Sequence, residues 1–253
     1  MSKNPLISII TVNLNDVRGL DRTLRSVLSQ TWQEFEYIVI DGGSSDGSRE
    51  LIETYDNRIS EWLSEPDSGI YNAMNKGIKM ANGSYFLFLN SGDELFNSTV
   101  LEENLEHFQS FDIIYFDILL VFNNETKVHK YPPILNFSTF RNGAIGHPTS
   151  FIKRDLFSSV GYYDENLKIV ADWKFYFYAV VKYNCSYKKV NTVLSKFYMD
   201  GISSTNLKLL EKERKMVLRE EFFAHFNNAK KKTLLDHLVI NSKKILKIFS
   251  RTI

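Results

Sequence analysis

The chain has 253 residues, 43% of them apolar and 24% charged. That balance supports a sizeable buried core and excludes collagen-like, mucin-like and wholly disordered proteins. The net charge of +1 hides an asymmetry: residues 222–253 carry seven Lys or Arg against one acid, Asp236, whereas residues 1–221 carry 24 basic and 29 acidic side chains. A mildly acidic body argues against nucleic acid as a partner, and a basic tail suits an anionic membrane surface. The richest apolar run, Ile113 to Phe122, is broken by Asp117, so no segment is predicted to cross a bilayer. The start, Met1-Ser2-Lys3-Asn4-Pro5, lacks the long apolar region of a signal peptide, so a cytoplasmic location is expected. A lone cysteine, Cys185, excludes an internal disulfide and a thiolate metal cluster.

In chain order, Leu6 to Val12 is a β-branched run that predicts a buried strand, and Asp16 to Gln30 shows helical spacing through Leu20, Leu24, Val27 and Leu28. Tyr37 to Ile40 predicts a second strand. The turn-rich cluster Asp41-Gly42-Gly43-Ser44-Ser45-Asp46-Gly47 closes it, and a helix follows over Ser48 to Tyr55. Ser60 to Leu63 predicts a short strand, Ile70 to Met80 a helix and Tyr85 to Leu89 a strand. This alternation predicts an α/β fold with a Rossmann-like, mostly parallel mixed sheet flanked by helices. Further on, the pattern predicts a helix near Thr99 to Phe108, strands at Ile113 to Phe122 and Thr126 to Tyr131, a helix at Ala171 to Tyr183 and a strand pair within Tyr187 to Phe197. Helices at about Leu207 to Phe226 and Thr233 to Phe249 end the chain. The domain reading is residues 1–205 as one unit, divided into halves 1–100 and 101–205, with 206–253 as a C-terminal helical tail.

In an open parallel sheet, ligands bind outside the carboxyl ends of the strands. Asn13 and Asn15 follow the first strand, Asp41 the second, and Asn90-Ser91-Gly92-Asp93 the strand at Tyr85. Each alone can be a turn former or helix cap. Together they place carboxylates and glycines on one rim, which suits a nucleotide diphosphate and a hard divalent cation. Neither a Gly-x-Gly-x-x-Gly fingerprint nor a Gly-Lys-Ser/Thr phosphate loop is present, which removes the usual signals of NAD enzymes and P-loop nucleotidases.

Four segments carry a resemblance: Pro5 to Asn13, Val39 to Ser48, Ser64-Glu65-Pro66-Asp67-Ser68-Gly69-Ile70-Tyr71-Asn72-Ala73-Met74-Asn75-Lys76-Gly77, and Leu89 to Asp93. In this order they resemble family 2 glycosyltransferases, most of all the bacterial branch that builds O-antigen, capsule and colanic-acid repeat units. Residues 146–154 and 169–177 match more loosely. The resemblance implies a GT-A type fold, a UDP-sugar donor (glucose, galactose or an N-acetyl form), Mn²⁺ or Mg²⁺, and inversion at the anomeric carbon. It places Thr11, Asn13 and Asp41 beside uracil and ribose, with Asp41 taking the base N–H, and Asn15 among the nucleotide- or donor-binding residues. Asp67, Asn75, Lys76, Asn90, Ser91 and Gly92 would line the donor, and Asp93 would be the metal ligand. The family's Asp-x-Asp motif is reduced here to one acid at its end. Asp172, in Ala171-Asp172-Trp173, is the implied base that deprotonates the acceptor hydroxyl. His147 and Trp173 are acceptor-side candidates, although a His before a proline is as often a turn residue and Trp173 sits among core-type aromatics.

On a helical wheel of about 100° per residue, Leu234, Leu235, Leu238, Val239, Ile245, Leu246, Ile248 and Phe249 share one half while Lys243, Lys244, Lys247 and Arg251 share the other. Such a helix can lie in an anionic membrane interface or pack on its own domain. The implied acceptor is a lipid-diphosphate-linked saccharide, which makes a peripheral position on the inner face of the cytoplasmic membrane the expectation. Two rivals remain: a catalytically inert nucleotide-sugar-binding or scaffold subunit, and a nucleotidyltransferase, which lacks its Gly-rich loop here. Donor sugar, linkage and oligomeric state are left open.

Overall fold

The computed structural model describes residues 4–108, 110–122, 125–143, 145–199 and 205–220. Contacts divide the chain into two units, 1–206 and 207–253. In the second unit, residues 207–220 are helical. The rest of the tail, including the amphipathic segment at 234–251, lies outside the described residues.

The first unit is built on β1 (Ile7–Asn13), which is buried along its whole length. An all-buried β-branched strand demands cover on both faces and partners on both edges. It pairs in parallel with β2 (Glu36–Asp41) on one side and β4 (Tyr85–Phe88) on the other; β3 (Glu61–Ser64) extends the sheet beyond β2. Helix α1 (Val17–Leu28) starts where the Asp16 carboxylate accepts from the Gly19 N–H at 3.0 Å, and buries Leu20, Leu24, Val27 and Leu28. Helix α2 (Ser48–Thr54) follows β2, and α3 (Ile70–Met80) packs Tyr71, Met74, Gly77 and Ile78 inward.

After β4 come β5 (Glu94–Leu95), β6 (Ile113–Phe122), β7 (Glu125–His129), α4 (Phe137–Asn142), β8 (Ser150–Lys153), α5 (Arg154–Val160), α6 (Ala171–Phe177) and β9 (Tyr187–Tyr198). The sheet order is β3-β2-β1-β4-β8-β6-β9-β5, with β7 paired to β6. Strands β1, β2, β3, β4, β6 and β9 run one way, and β5, β7 and β8 run against them. The predicted mostly parallel mixed sheet is therefore present.

Register decides where the polar residues fall. Asn13 lies opposite Asp41, and Asp41 opposite Ser64, so three strands end level at one edge. Beyond β4 the chain keeps to β1 through Leu89 N–H to Ile10 O and Ser91 N–H to Val12 O, both 3.0 Å, which carries Asn90 to Asp93 to the same edge. Because β8 is antiparallel to β4, its beginning meets that edge too, and the 3-10 turn His147–Thr149 leads into it there.

Several predicted elements differ. The helix expected at Thr99 to Phe108 is a 3-10 turn, Glu102–His107. The strand pair expected within Tyr187 to Phe197 is one long strand, whose register against β6 shifts between Tyr115 and Asp117 as a bulge while the chain keeps its direction. Helix α6 stops at Phe177 and widens into a π-turn, Tyr178–Lys182, closed by Tyr183 N–H on Tyr178 O at 2.9 Å. Strands β5 and β8 and helices α4 and α5 were not legible, since they are short and draw their stability from neighbours.

Gly83 lies so close to β1 that a Cβ there would stand 2.5 Å from the Ser8 backbone N and 2.9 Å from the Ile7 carbonyl carbon. Backbone cannot yield as a side chain can. Gly83→Ala is expected to cost about 1–3 kcal/mol, read as a lower urea midpoint at unchanged slope; an unaltered midpoint would show that the approach is not limiting.

Candidate active site

At the shared strand edge, Asp41 is fully buried. Its Oδ1 accepts from Asn13 Nδ2 (2.8 Å) and Ser44 Oγ (2.6 Å), and its Oδ2 from Ser44 N (3.0 Å) and Ser64 Oγ (2.7 Å). Burial alone would raise this carboxyl, but the donors on Ser44, Ser64 and Asn13 outweigh it and hold it below the usual range. Asp41 therefore ties the ends of β1, β2 and β3 together. Asn13 is spent in the same way: besides Asp41, its Nδ2 reaches Ser44 Oγ at 3.2 Å, and its Oδ1 accepts from Ser91 Oγ at 2.6 Å. Thr11 is fully buried with Oγ1 3.1 Å from Tyr37 Oη, so its side chain also faces the interior and not a ligand.

Half-exposed or exposed groups remain on the rim. Asn15 is held at φ 51° by its own pairings, its N–H on Ser44 Oγ (2.7 Å) and its Oδ1 accepting from Ser45 N (2.9 Å). Asp67 accepts from Gly69 N at 2.8 Å and lies over Gly42, where a Cβ would stand 2.5 Å from its Oδ2. Lys76 pairs with Glu65 at 2.7 Å and with Pro66 O at 3.2 Å. Ser91 and Gly92 are half-buried, and Gly92 has φ 98°, a conformation glycine adopts freely.

Across the rim, His147 bridges two carboxylates. Its Nδ1 is 3.1 Å from Asp172 Oδ2 and its Nε2 is 3.5 Å from Asp93 Oδ2, with side chains 17%, 13% and 6% exposed for His147, Asp172 and Asp93. Asp172, in the first turn of α6, also accepts from Trp173 N (2.8 Å) and Tyr71 Oη (3.2 Å). Burial would lower His147, but the two carboxylates outweigh it and raise it to about 9. Burial would raise Asp172, yet His147 and the neighbouring donors hold it low. At Asp93 burial wins and the carboxyl is raised, although His147, the Asn90 N–H and Arg22 pull the other way.

The Asn90 amide responds to this charge. Its Nδ2 lies 3.0 Å from His147 Nε2, a good donor to a neutral ring but not to an imidazolium. Its Oδ1 is buried without a hydrogen-bond partner. A half-turn of the amide presents Oδ1 to the charged ring and removes both deficits at once.

Two expected site residues are structural instead. Asn75 is buried; its Nδ2 donates to Tyr163 O (2.9 Å) and Glu165 Oε1 (2.8 Å), and its Oδ1 accepts from Tyr163 N (3.0 Å). It staples the 163–165 loop to α3 and does not reach for phosphate. Trp173 is 3% exposed, donates Nε1–H to Phe140 O at 3.0 Å and stacks on Phe177 at 5.6 Å with planes 4° apart. No face is left for a sugar, so it belongs to the core. Residues that sequence reasoning missed are Tyr71, whose hydroxyl steadies Asp172, and Arg22. Arg22 stacks its guanidinium 4.0 Å over Tyr198 and brings Nη2 within 3.4 Å of where a Gly92 Cβ would stand. Tyr71 sits inside a segment already quoted, whereas nothing in the sequence links Arg22 to the Gly92 turn.

No group of three or more His, Cys, Asp or Glu side chains able to hold a cation comes together among the described residues. Asp93 offers one hard oxygen donor beside a diphosphate-sized rim, a donor set that suits Mg²⁺ or Mn²⁺ only if phosphate oxygens and water fill most positions.

The chain matches the model of Glycosyl transferase family 2 over residues 8–161. The chain belongs to this family. An uncharacterized glycosyltransferase of Mycobacterium tuberculosis is 32% identical over 211 residues, covering 81% of this chain and 79% of that protein. A PGL/p-HBAD biosynthesis glycosyltransferase of Mycobacterium bovis is 32% identical over 178 residues, 68% of either chain. Among solved structures, S. aureus TarS in complex with UDP-GlcNAc superposes with a TM-score of 0.64 at 21% identity, over 79% of this chain and 60% of that one. That likeness is one of fold, and the family 2 protein described here has the GT-A architecture.

Asn75→Ala removes three hydrogen bonds and strands the buried Tyr163 N–H and C=O at about 1–3 kcal/mol each. The expected result is a clear fall in melting temperature; unchanged stability with a raised donor KM would return Asn75 to the ligand. His147 is raised in the folded protein from about 6.5, so the stability from its protonation is whole below about pH 6.5 and is lost as pH rises through about 9. The stability gap between the protein and His147→Ala should therefore narrow over that window in paired urea titrations, and a gap independent of pH would refute the charged bridge.

Proposed function

We propose that this family 2 glycosyltransferase inverts the anomeric centre of a UDP-sugar as it transfers the sugar to a lipid-diphosphate-linked saccharide in bacterial surface-polysaccharide assembly. The observation that carries the reading is the convergence of Asp93, His147 and Asp172 on the edge where β1, β2 and β4 end, with His147 3.1 Å from Asp172 and 3.5 Å from Asp93. The UDP-GlcNAc bound by TarS, a protein of the same fold, supports the donor class.

The nucleoside diphosphate lies along Asn15, Asp67, Ser91 and Gly92, with Arg22 as the cation beside the Gly92 turn. Mg²⁺ or Mn²⁺, held by Asp93 with phosphate oxygens and water, supplies Lewis-acid stabilisation of the departing diphosphate. Asp172 is the base. Ionised at neutral pH and steadied by Tyr71, Trp173 N–H and His147, it accepts the proton of the acceptor hydroxyl as that oxygen attacks the anomeric carbon from the face opposite the leaving group. His147 carries no bond change and fixes the orientation of both carboxylates. No helix among the described residues is long and apolar enough to cross a membrane. Delivery to a lipid-borne acceptor on the inner face of the cytoplasmic membrane falls, in this reading, to the basic amphipathic tail at 234–251.

A screen of UDP-, GDP- and dTDP-sugars against a GalNAc- or GlcNAc-diphosphate-lipid acceptor, with and without EDTA, tests the reading. Transfer from a UDP-sugar that EDTA abolishes is expected. Asp93→Ala and Asp172→Asn should each lower kcat more than about a hundredfold while circular dichroism is unchanged. Near-normal turnover in either variant removes that residue from the scheme.

A further inference from the structure

The segment from β7 through α4 exposes apolar side chains that its own packing could have hidden. Leu135 and Phe140 turn inward and are buried. The backbone around them is anchored by Tyr115 Oη on Pro132 O (2.6 Å) and by Leu135 N–H on Tyr187 Oη (3.1 Å). From this fixed base Ile134 stands 65% exposed and Phe137 50% exposed. Phe137 and Arg141, one helical turn apart on α4, share a face.

Charge is concentrated at the same place. Residues 125–141 carry Lys127, Lys130 and Arg141 against one acid, Glu125, although residues 1–221 as a whole are net acidic. All three basic side chains are exposed. His129, Lys130, Tyr131 and Pro132 line one cavity together with Asn136, Ser138 and Thr139, so the basic strand end lies beside the start of α4. Strand β7 is an edge whose residues are all exposed and include Lys127, a feature that discourages strand pairing with a second copy.

We propose that residues 127–141 form a membrane-facing lip, in which Ile134 and Phe137 enter the boundary between headgroups and acyl chains while Lys127, Lys130 and Arg141 meet anionic headgroups. Two protruding apolar groups ringed by cations match that boundary in both polarity and charge. The lip lies near the reaction centre: the hydroxyl of Tyr131, which lines the cavity, is raised by burial and further by the charge of Asp172. The inference rests on the lipid-linked acceptor proposed above and adds to it a contact surface separate from the tail.

The test uses the full chain with its single native thiol removed (Cys185→Ser) and a new one introduced by Ile134→Cys, labelled with an environment-sensitive NBD fluorophore. On vesicles of phosphatidylglycerol and phosphatidylcholine the label should brighten several-fold, shift to the blue and be quenched by lipid-borne nitroxide. On pure phosphatidylcholine it should not respond, and a label at Asn57→Cys should stay water-exposed throughout. Ile134→Asp should weaken vesicle binding about tenfold with unchanged turnover of a water-soluble acceptor. A label at position 134 that remains in water on vesicles that sediment the protein overturns the lip and leaves membrane binding to the tail. A concentration-dependent blue shift without vesicles assigns the patch to a second copy and also overturns it. Neither outcome touches the glycosyl-transfer reading, which fails only if turnover of the soluble acceptor is absent.

Discussion

The Asp41 carboxylate is the constraint on which the edge of this sheet depends. A buried charge without partners costs several kcal/mol or more, and here it is accommodated because three parallel strands end level and each supplies a donor: Asn13 from β1, Ser64 from β3 and Ser44 from the turn after β2. Asn13 then passes the constraint on to the Asn90–Asp93 turn through Ser91. The rim is thus held together for a reason internal to the protein, with Asp41 and Asn13 as the frame on which the half-exposed side chains are hung.

His147 performs the corresponding task on the other side. Two carboxylates within reach of one another repel unless a cation or a proton stands between them, and the imidazole supplies it by spanning from Asp93, after β4, to Asp172, at the start of α6. The two acids thereby acquire unequal characters. Asp172, rich in donors, stays ionised and fit to take a proton, whereas Asp93, poorer in donors and deeper, is raised. A family pattern with several acids in the Asp-x-Asp position has here a single acid, with a histidine from a distant turn as its neighbour.

Much of the first half was legible because its elements are long, periodic and bounded by turn residues: α3 runs from Ile70 to Met80 as its spacing predicted, and β1 differs by one residue at each end. In the second half β6 stands at its expected bounds, Ile113 to Phe122, but β8, α4 and α5 are too short for a period to show, and β9 runs on as one strand through a bulge. Among the site residues, Asp93 and Asp172 lie on either side of His147. Thr11, Asn75 and Trp173 turn inward, a direction that polarity, or a ring, in a matched motif does not reveal. For Asn75 the answer lay in a loop 88 residues further along the chain, at Tyr163.

What the sequence determined by itself is the alternation of buried strands and helices, the placing of polar residues just after β1, β2 and β4, and membership of a family by motif order. These are local properties, fixed by side-chain periodicity and by what glycine and aspartate permit in a turn. What only the tertiary structure decided is the division of labour among those polar residues. Whether a carboxylate faces a ligand or a neighbouring strand depends on strand register and on the antiparallel insertion of β8, which alone carries His147 to the rim. Hydrogen bonds between residues tens of positions apart have no periodic signature, so their outcome appears only when the sheet has closed around them.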